Sequence, residues 1–363
     1  MKTDNNIKVQ CDGEEKFITL GNARVTVILL DDMTAEINRC DKSILGDVVI
    51  PSVVRFNNRK YVVKKINGSA FSGCSSLFGI HIPNTITKIG NSAFMYCSSL
   101  ASIYIPNTVT EIAHYTFFGC SSLTSIYIPD SVTKIGDEII PGMKIGPFYH
   151  CPSLTRIIVS PNNPCYDSRN DCNAIIETKS NSLILGCKTT VIPDSVTEIG
   201  EDAFKDCDSL VNIRIPNSVT KIMNNAFESC SSLTHIHIPG SVTEIGAWAF
   251  SGCSLLNNIH IPNTLKEIQS NMFADCTSLT HIHIPDSVTV IGERAFAGCS
   301  LLNNIHIPNT VDLIESGAFS GCLSLSNVHI SNSAIEIEEN VFEDCISLTC
   351  IHFPDYDTKI EDL

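Results

Sequence analysis

Basic residues are scarce in this 363-residue chain: 24 Lys and Arg stand against 39 Asp and Glu, for a net charge of -15. So acidic a surface repels phosphate backbones and anionic lipid, which disfavours nucleic acid and membrane surfaces as partners. Charged residues of either sign make up only 17%, against 43% hydrophobic, a balance too apolar for a disordered chain. Aromatic residues are 7%, with a single tryptophan, Trp248. No apolar run approaches the ~18 residues of a spanning helix, so no membrane insertion is expected. The opening MKTDNNIKVQ lacks the apolar stretch of a secretory signal. Taken alone, that points to a soluble, cytoplasmic chain. Catalytic signatures are missing too: no G-x-S-x-G, Walker A, H-E-x-x-H or G-x-G-x-x-G occurs. Neither an enzymatic activity nor a cofactor is therefore expected.

What the sequence has in abundance is repetition. Phe71, Phe94 and Phe117 lie 23 residues apart, and Phe204, Phe227, Phe250, Phe273, Phe296, Phe319 and Phe342 resume the step after an interruption. The unit reads L-x-x-I-x-I-P-(N/D)-(S/T)-V-T-x-I-G-x-x-A-F-x-x-C-S-S, beginning at Leu77 and last at Leu348. A period of 20–29 residues with that phrase indicates a solenoid. Positions 4 and 6, such as Ile213 and Ile215, alternate inward and define a short strand with one buried face. Proline at position 7 has no N–H and stops the strand. Val at 10 and Ile at 13 form a second brief extended stretch, and A-F-x-x-C turns Phe and Cys inward. One unit cannot bury these faces alone; stacked neighbours do so. The expected fold is a right-handed repeat solenoid of about twelve coils, with a parallel β-sheet along its concave side.

The phrases IPNSVTKI, IPDSVTEIG and AFSGCSSL resemble the BspA-like leucine-rich repeat family over about residues 45–363. The segment NPCYDSRNDCNAIIETKSNSLILGCKTTVIP also resembles a hairpin insertion of gut Bacteroidota members. The resemblance implies a non-enzymatic binding surface, displayed at the cell surface or secreted, adhesive toward host proteins.

Departures from the period mark the organisation. Residues 1–44 carry no repeat; their short apolar runs suggest a hairpin that caps the first coil. Residues 45–363 form the solenoid, with insertions at about 137–144 and 160–186. Within the second, NAIIE (173–177) and SLILG (182–186) read as two strands joined by TKSN. Both insertions are expected to leave the sheet and decorate the rim or back. The chain reaches Leu363 partway through a unit, so an open last coil and a homodimer through that end are further expectations.

Positions 3 and 5 of each strand point to the exposed face of the sheet. Position 5 carries Tyr104, Tyr127 and Arg214, then His237, His260, His283, His306, His329 and His352; position 3 adds Arg156, His235 and His281. Tyr104 and Tyr127 are large and amphipathic, suited to a contact patch, and Arg156 and Arg214 are the cations of these columns, suited to an acidic group. The histidine ladder has three readings: copies of one duplicated unit, a metal surface built on the H-x-H pairs His235/His237 and His281/His283, or a pH-responsive face. A flat ladder makes poor tetrahedral geometry, which weighs against metal.

Cys74, Cys97, Cys120, Cys151, Cys207, Cys230, Cys253, Cys276, Cys299, Cys322 and Cys345 share one position, which suggests a buried, reduced column. A Cys165–Cys172 bridge requires export. Asp167, Arg169, Asn170 and Asp171 hint weakly at a calcium loop, and a solvated turn is the plainer reading. Trp248 stands at a rim position, where it either anchors a partner or packs on its neighbour. The function expected is a protein- or glycan-binding scaffold; the alternatives are a metal- or pH-responsive histidine surface and an assembly subunit.

Overall fold

The computed structural model describes residues 7–12, 15–140, 143–354 and 357–359. Among them the chain is built of short strands and turns, with one 3-10 turn at Arg169–Asp171. The ends of the chain at 1–6 and 360–363, and residues 141–142 of the first insertion, lie outside the described residues. Two compact units divide the chain, 1–179 and 180–363.

One coil of the second unit shows how the repeat makes its shape. Leu210, Ile213, Ile215 and Val219 are buried, and Asn212–Arg214 forms a strand that ends before Pro216. Asn212–Arg214 pairs in parallel with His235–His237, and Lys221–Ile222 with Glu244–Ile245. The third side has no strand, yet its backbone is fully used. The N–H groups of Asn225, Phe227 and Ser229 donate to the carbonyls of Ala247, Ala249 and Ser251 at 3.0, 2.8 and 2.7 Å. Those parallel bonds require Asn225 and Ser229 to adopt left-handed φ of 56° and 59°. Asn, Asp and Gly tolerate that region, and they recur in the same slots as Asp202, Asp206, Asn271, Asp275, Gly317, Gly321, Asn340 and Asp344.

Where a bulkier residue takes such a slot, the backbone is strained. Arg294 is exposed at φ 52°, between Asn271 and Gly317 of the neighbouring coils. Arg294→Asn is expected to raise stability by about 0.5–1 kcal/mol, read as a higher melting temperature. Trp248, at φ 61° and 43% exposed, sits in the same slot.

The core consists of columns. In the second unit Phe204, Phe227, Phe250, Phe273, Phe296, Phe319 and Phe342 stack face to face, with centroids 5.0–5.7 Å apart and planes within 13° of parallel. Beside them, the thiols from Cys230 onward donate to the phenylalanine carbonyl of the preceding coil, as Cys253 Sγ to Phe227 O and Cys276 Sγ to Phe250 O, both at 3.2 Å. All seventeen cysteines are free. Burial pushes the thiols of this unit up, Cys207 to about 12 and Cys345 to about 11, which disfavours the reactive thiolate.

The first unit begins as an antiparallel sheet. Glu15–Leu20 pairs with Ala23–Leu29, which pairs with Thr34–Cys40. Thr34–Cys40 then pairs in parallel with Arg59–Ile66, which also pairs in parallel with the second-strand rung Lys88–Ile89. The extra residues of the entry coil are a hairpin, Val53–Phe56 against Arg59–Ile66, turned by Asn57 and Asn58 with φ of 48° and 59°. Gly46–Val49 heads the first column, a five-stranded parallel sheet continuing through Leu77–His81, Ser102–Tyr104 and Ser125–Ile128 to Arg156–Val159.

The irregular stretches show what the period alone left open. Phe148 extends the first unit's ring column, stacking on Phe117 at 5.3 Å; Pro147 in place of alanine had hidden it. Asp137–Ile140 and Met143–Ile145 of the first insertion form an antiparallel hairpin. Ser182–Leu185, beside Ile175–Glu177 as the expected strand pair, also pairs with Glu198–Ile199 as a rung of the second column, because Leu183 supplies the buried side chain that position needs. Gly186 follows in the slot a phenylalanine would fill, where even a Cβ would overlap the Phe204 ring. Finally, Asp357–Lys359 folds back antiparallel on Cys350–His352, so the last first-column strand is paired on both sides.

Candidate functional site

Strand alternation places the predicted face residues as expected: Ile103, Ile126, Ile213, Ile236 and Ile259 turn in, and their neighbours at positions 3 and 5 turn out. Tyr104 is 52% exposed and Tyr127 36%, and the two are partners in register on adjacent parallel strands. Arg156 is exposed on the next strand, opposite Ser125. These three belong to the first unit; Arg214 and the histidines from His235 to His352 belong to the second. Arg214 also meets an acid already, Asp194 Oδ1 at 3.2 Å. Both partners are largely exposed, so the pair contributes little to stability and a ligand carboxylate would have to compete with it.

The tyrosines overlook a cleft of about 320 Å³ that the sequence did not reveal. Its floor and near wall come from Tyr104, Tyr127 and the turns after their strands, with Asn107, Pro129 and Asp130. Its far wall is Ser160, Pro161 and Asn162, the start of the second insertion. Asn163 locks that wall in place. Its buried amide donates to Pro129 O at 2.7 Å and Val132 O at 2.8 Å, and its carbonyl accepts from the N–H groups of Cys165 and Tyr166, both at 2.9 Å. The only sequence signal for it was an asparagine-proline cluster at the insertion's start.

In the rest of that insertion, no group of three metal-ligating side chains occurs among the described residues. Arg169 grips the Asp167 carboxylate through two nitrogens at 2.7 and 2.5 Å, so the acid is already neutralised. Cys165 and Cys172 are both free thiols.

A second aromatic cluster, missed in the sequence, lies on the turn side of the first unit. Phe118 meets Tyr96, Tyr115 and His150 edge to face, with centroids 5.0–5.4 Å apart. Tyr96 and Tyr115 adopt left-handed φ of 57° and 54°, in slots that other coils give to Asn, Asp, Ser or Gly.

On the second unit the histidines form ranks. His235, His237, His260, His281, His283, His306 and His329 are exposed and His352 is half-buried. His306 lies parallel on His329, centroids 5.1 Å apart and planes 13° apart. His235 and His281 each share a hydrogen bond with the preceding threonine, Thr234 at 2.9 Å and Thr280 at 3.0 Å. Among the described residues no three His, Cys, Asp or Glu side chains converge to hold a metal ion. Partial burial, then the charges of His329 and His283, hold the His306 pKa below its ordinary 6.5, with Asp286 opposing. The unfolded chain therefore binds a proton at a higher pH than the folded one. This group's contribution is present above pH 6.5 and is lost as the pH falls through 6.5 towards the folded value. His306→Asn should flatten the fall in melting temperature between pH 7.5 and 5 relative to the parent chain.

Residues 54–167, 176–303 and 300–363 match the BspA type leucine rich repeat region, in six copies. The chain belongs to the BspA-type leucine-rich repeat family. A leucine rich cell surface protein from Faecalibacterium prausnitzii A2-165 is similar over 95% of this chain and 94% of its own, at 27% identity and a TM-score of 0.54. A leucine-rich repeat protein from Eubacterium ventriosum is similar at 25% identity over 82% of this chain and 92% of its own, with a TM-score of 0.56. The pneumococcal vaccine antigen PcpA shares the fold at 17% identity, over 93% of each chain, with a TM-score of 0.63. No curated protein matches. Within the BspA-type array, no helix among the described residues is long and apolar enough to cross a membrane.

Proposed function

We propose that this BspA-type repeat protein is a surface-displayed, adhesin-like scaffold that binds a protein or glycan ligand, host-derived, through the exposed face of its parallel sheet. The observation that carries the proposal is the pair Tyr104 and Tyr127, held in register on adjacent strands and exposed above a walled cleft. Exposed aromatic rings on a rigid backbone lose little entropy when they bind, which makes them effective contact residues. Arg156 adds a cation on the adjoining strand. The F. prausnitzii relative, described as a cell surface protein, supports display outside the cell.

Two measurements test this. Protease treatment of intact native cells should remove the chain; survival until lysis would place it inside and end the adhesin reading. For any ligand then identified, Tyr104→Ala with Tyr127→Ala should weaken binding, and unchanged affinity would move the site elsewhere.

The parallel stack of His306 on His329 favours a second reading, a face whose charge and ligand affinity respond to pH. Binding of an acidic ligand to the second unit would then strengthen between pH 7 and 5, whereas pH-independent binding would dismiss it.

A further inference from the structure

We infer that the cleft beside Tyr104 and Tyr127 is a subsite for a neutral saccharide. The inference rests on the reading of this face as a binding surface and names the chemistry it takes. At about 320 Å³ the cleft lies at the small end of ligand sites, the size of a short sugar rather than a folded partner. Its apolar lining includes two tyrosyl rings and Pro129, flat groups of the kind against which the C–H face of a pyranose can lie.

Its polar lining matches hydroxyl groups. Asp130 supplies a carboxylate acceptor, and Asn107 and Asn162 supply amides that donate and accept. The Asn107 carbonyl is engaged by the Ser131 N–H at 2.9 Å, which fixes the amide's orientation and leaves its NH2 group for a ligand. A sugar carries neighbouring hydroxyls that each donate and accept, and it can satisfy all three side chains together. An apolar peptide side chain in the same cleft would leave the amides and the carboxylate dehydrated and unpaired, an unfavourable exchange.

Charge narrows the class further. No Lys or Arg lines the cleft, Asp130 does, and the chain carries a net charge of -15. Sialylated, uronic or sulfated sugars would meet repulsion from Asp130 inside the cleft; the cation of this face, Arg156, stands on the adjoining strand outside the lining. The walls are rigid as well. The floor is parallel sheet, and Asn163 ties the far wall to the carbonyls of Pro129 and Val132, so little ordering is left for the ligand to impose.

The experiment uses the full chain. Saturation-transfer NMR would be recorded with lactose, maltose, cellobiose and diacetylchitobiose, and with sialyllactose as the acidic counterpart. In parallel, binding to immobilised asialofetuin would be measured before and after its N-glycans are removed. The expected result is transfer to at least one neutral disaccharide, little or none to sialyllactose, and binding weakened about tenfold or more in Tyr127→Ala and Asp130→Ala. Trp248→Ala, in the other unit, should leave it unchanged. Equal binding of sialyllactose, no binding of any neutral sugar, or sugar binding indifferent to Tyr127→Ala would each overturn the assignment. Asialofetuin binding that survives deglycosylation yet is lost in Tyr127→Ala would also overturn the saccharide, while leaving the face as a protein-binding surface. Circular dichroism of each variant separates lost binding from lost folding.

Discussion

Phe250→Ala should lower the stability of this protein by about 3–5 kcal/mol, the largest loss expected from a single truncation in the repeat core. The ring is fully buried and stacks on two others, Phe227 at 5.4 Å and Phe273 at 5.7 Å. Its removal deletes buried apolar surface and leaves a void that neither neighbour can close, because each is held by its own backbone bond along the turn ladder. In an array where each coil contacts only its neighbours, a weakened interface is felt across the stack. Two comparisons make the prediction specific. Phe342 stacks on Phe319 and is 8% exposed, so Phe342→Ala should cost less. Phe78, 53% exposed on the sheet's outer side, should stay within about 0.5 kcal/mol when truncated. Urea unfolding followed by circular dichroism gives all three values; a Phe250→Ala loss no larger than that of Phe78→Ala would refute the stacked-column account.

Asn163→Ala carries the second large effect, and it joins stability to function. One side chain there satisfies two carbonyls and two N–H groups in a buried turn. Its deletion strands all four, and with ~1–3 kcal/mol per buried unsatisfied group the local loss is expected to be about 3 kcal/mol or more. Because the stranded groups border the wall at Ser160–Asn162, the loss should appear first as opening of that segment. Hydrogen exchange should show the amides of Cys165 and Tyr166 deprotected, while the second unit keeps its protection. Asn163→Asp should not rescue the site: it retains the acceptors, loses both donations and buries a charge. Ligand affinity at the cleft should fall in both variants, although Asn163 need not touch the ligand. Unchanged protection at Cys165 and Tyr166 would show that the wall is held by something else.

The period was written plainly in the residues. Leu, Ile, Pro, Phe and Cys recur every 23 residues, and a chain so patterned has one way to bury its apolar positions, by stacking coil on coil. The same alternation that turns Ile213 and Ile236 inward turns Arg214, His235 and His237 outward, so the composition of the exposed face followed from parity alone. Irregular stretches were legible only in part. Pro147 broke the A-F signature and hid Phe148. Ser182–Leu185 looked like an excursion from the sheet, although Leu183 had the apolar side chain its rung requires.

What only the tertiary structure decided is what distant segments make together. The cleft joins turns from two repeats to the first residues of an insertion, through an asparagine about thirty residues from the carbonyls it binds. Neither periodicity nor motif encodes that meeting, because it depends on where the inserted chain is folded back. The parallel contact of His306 with His329, the grip of Arg169 on Asp167 and the return of Asp357–Lys359 onto the last strand are of the same kind. Local pattern fixes which way a side chain points, by the geometry of strand and turn. Which partner it meets is set by the path of the whole chain, and for this protein the candidate site lies where that path departs from the repeat.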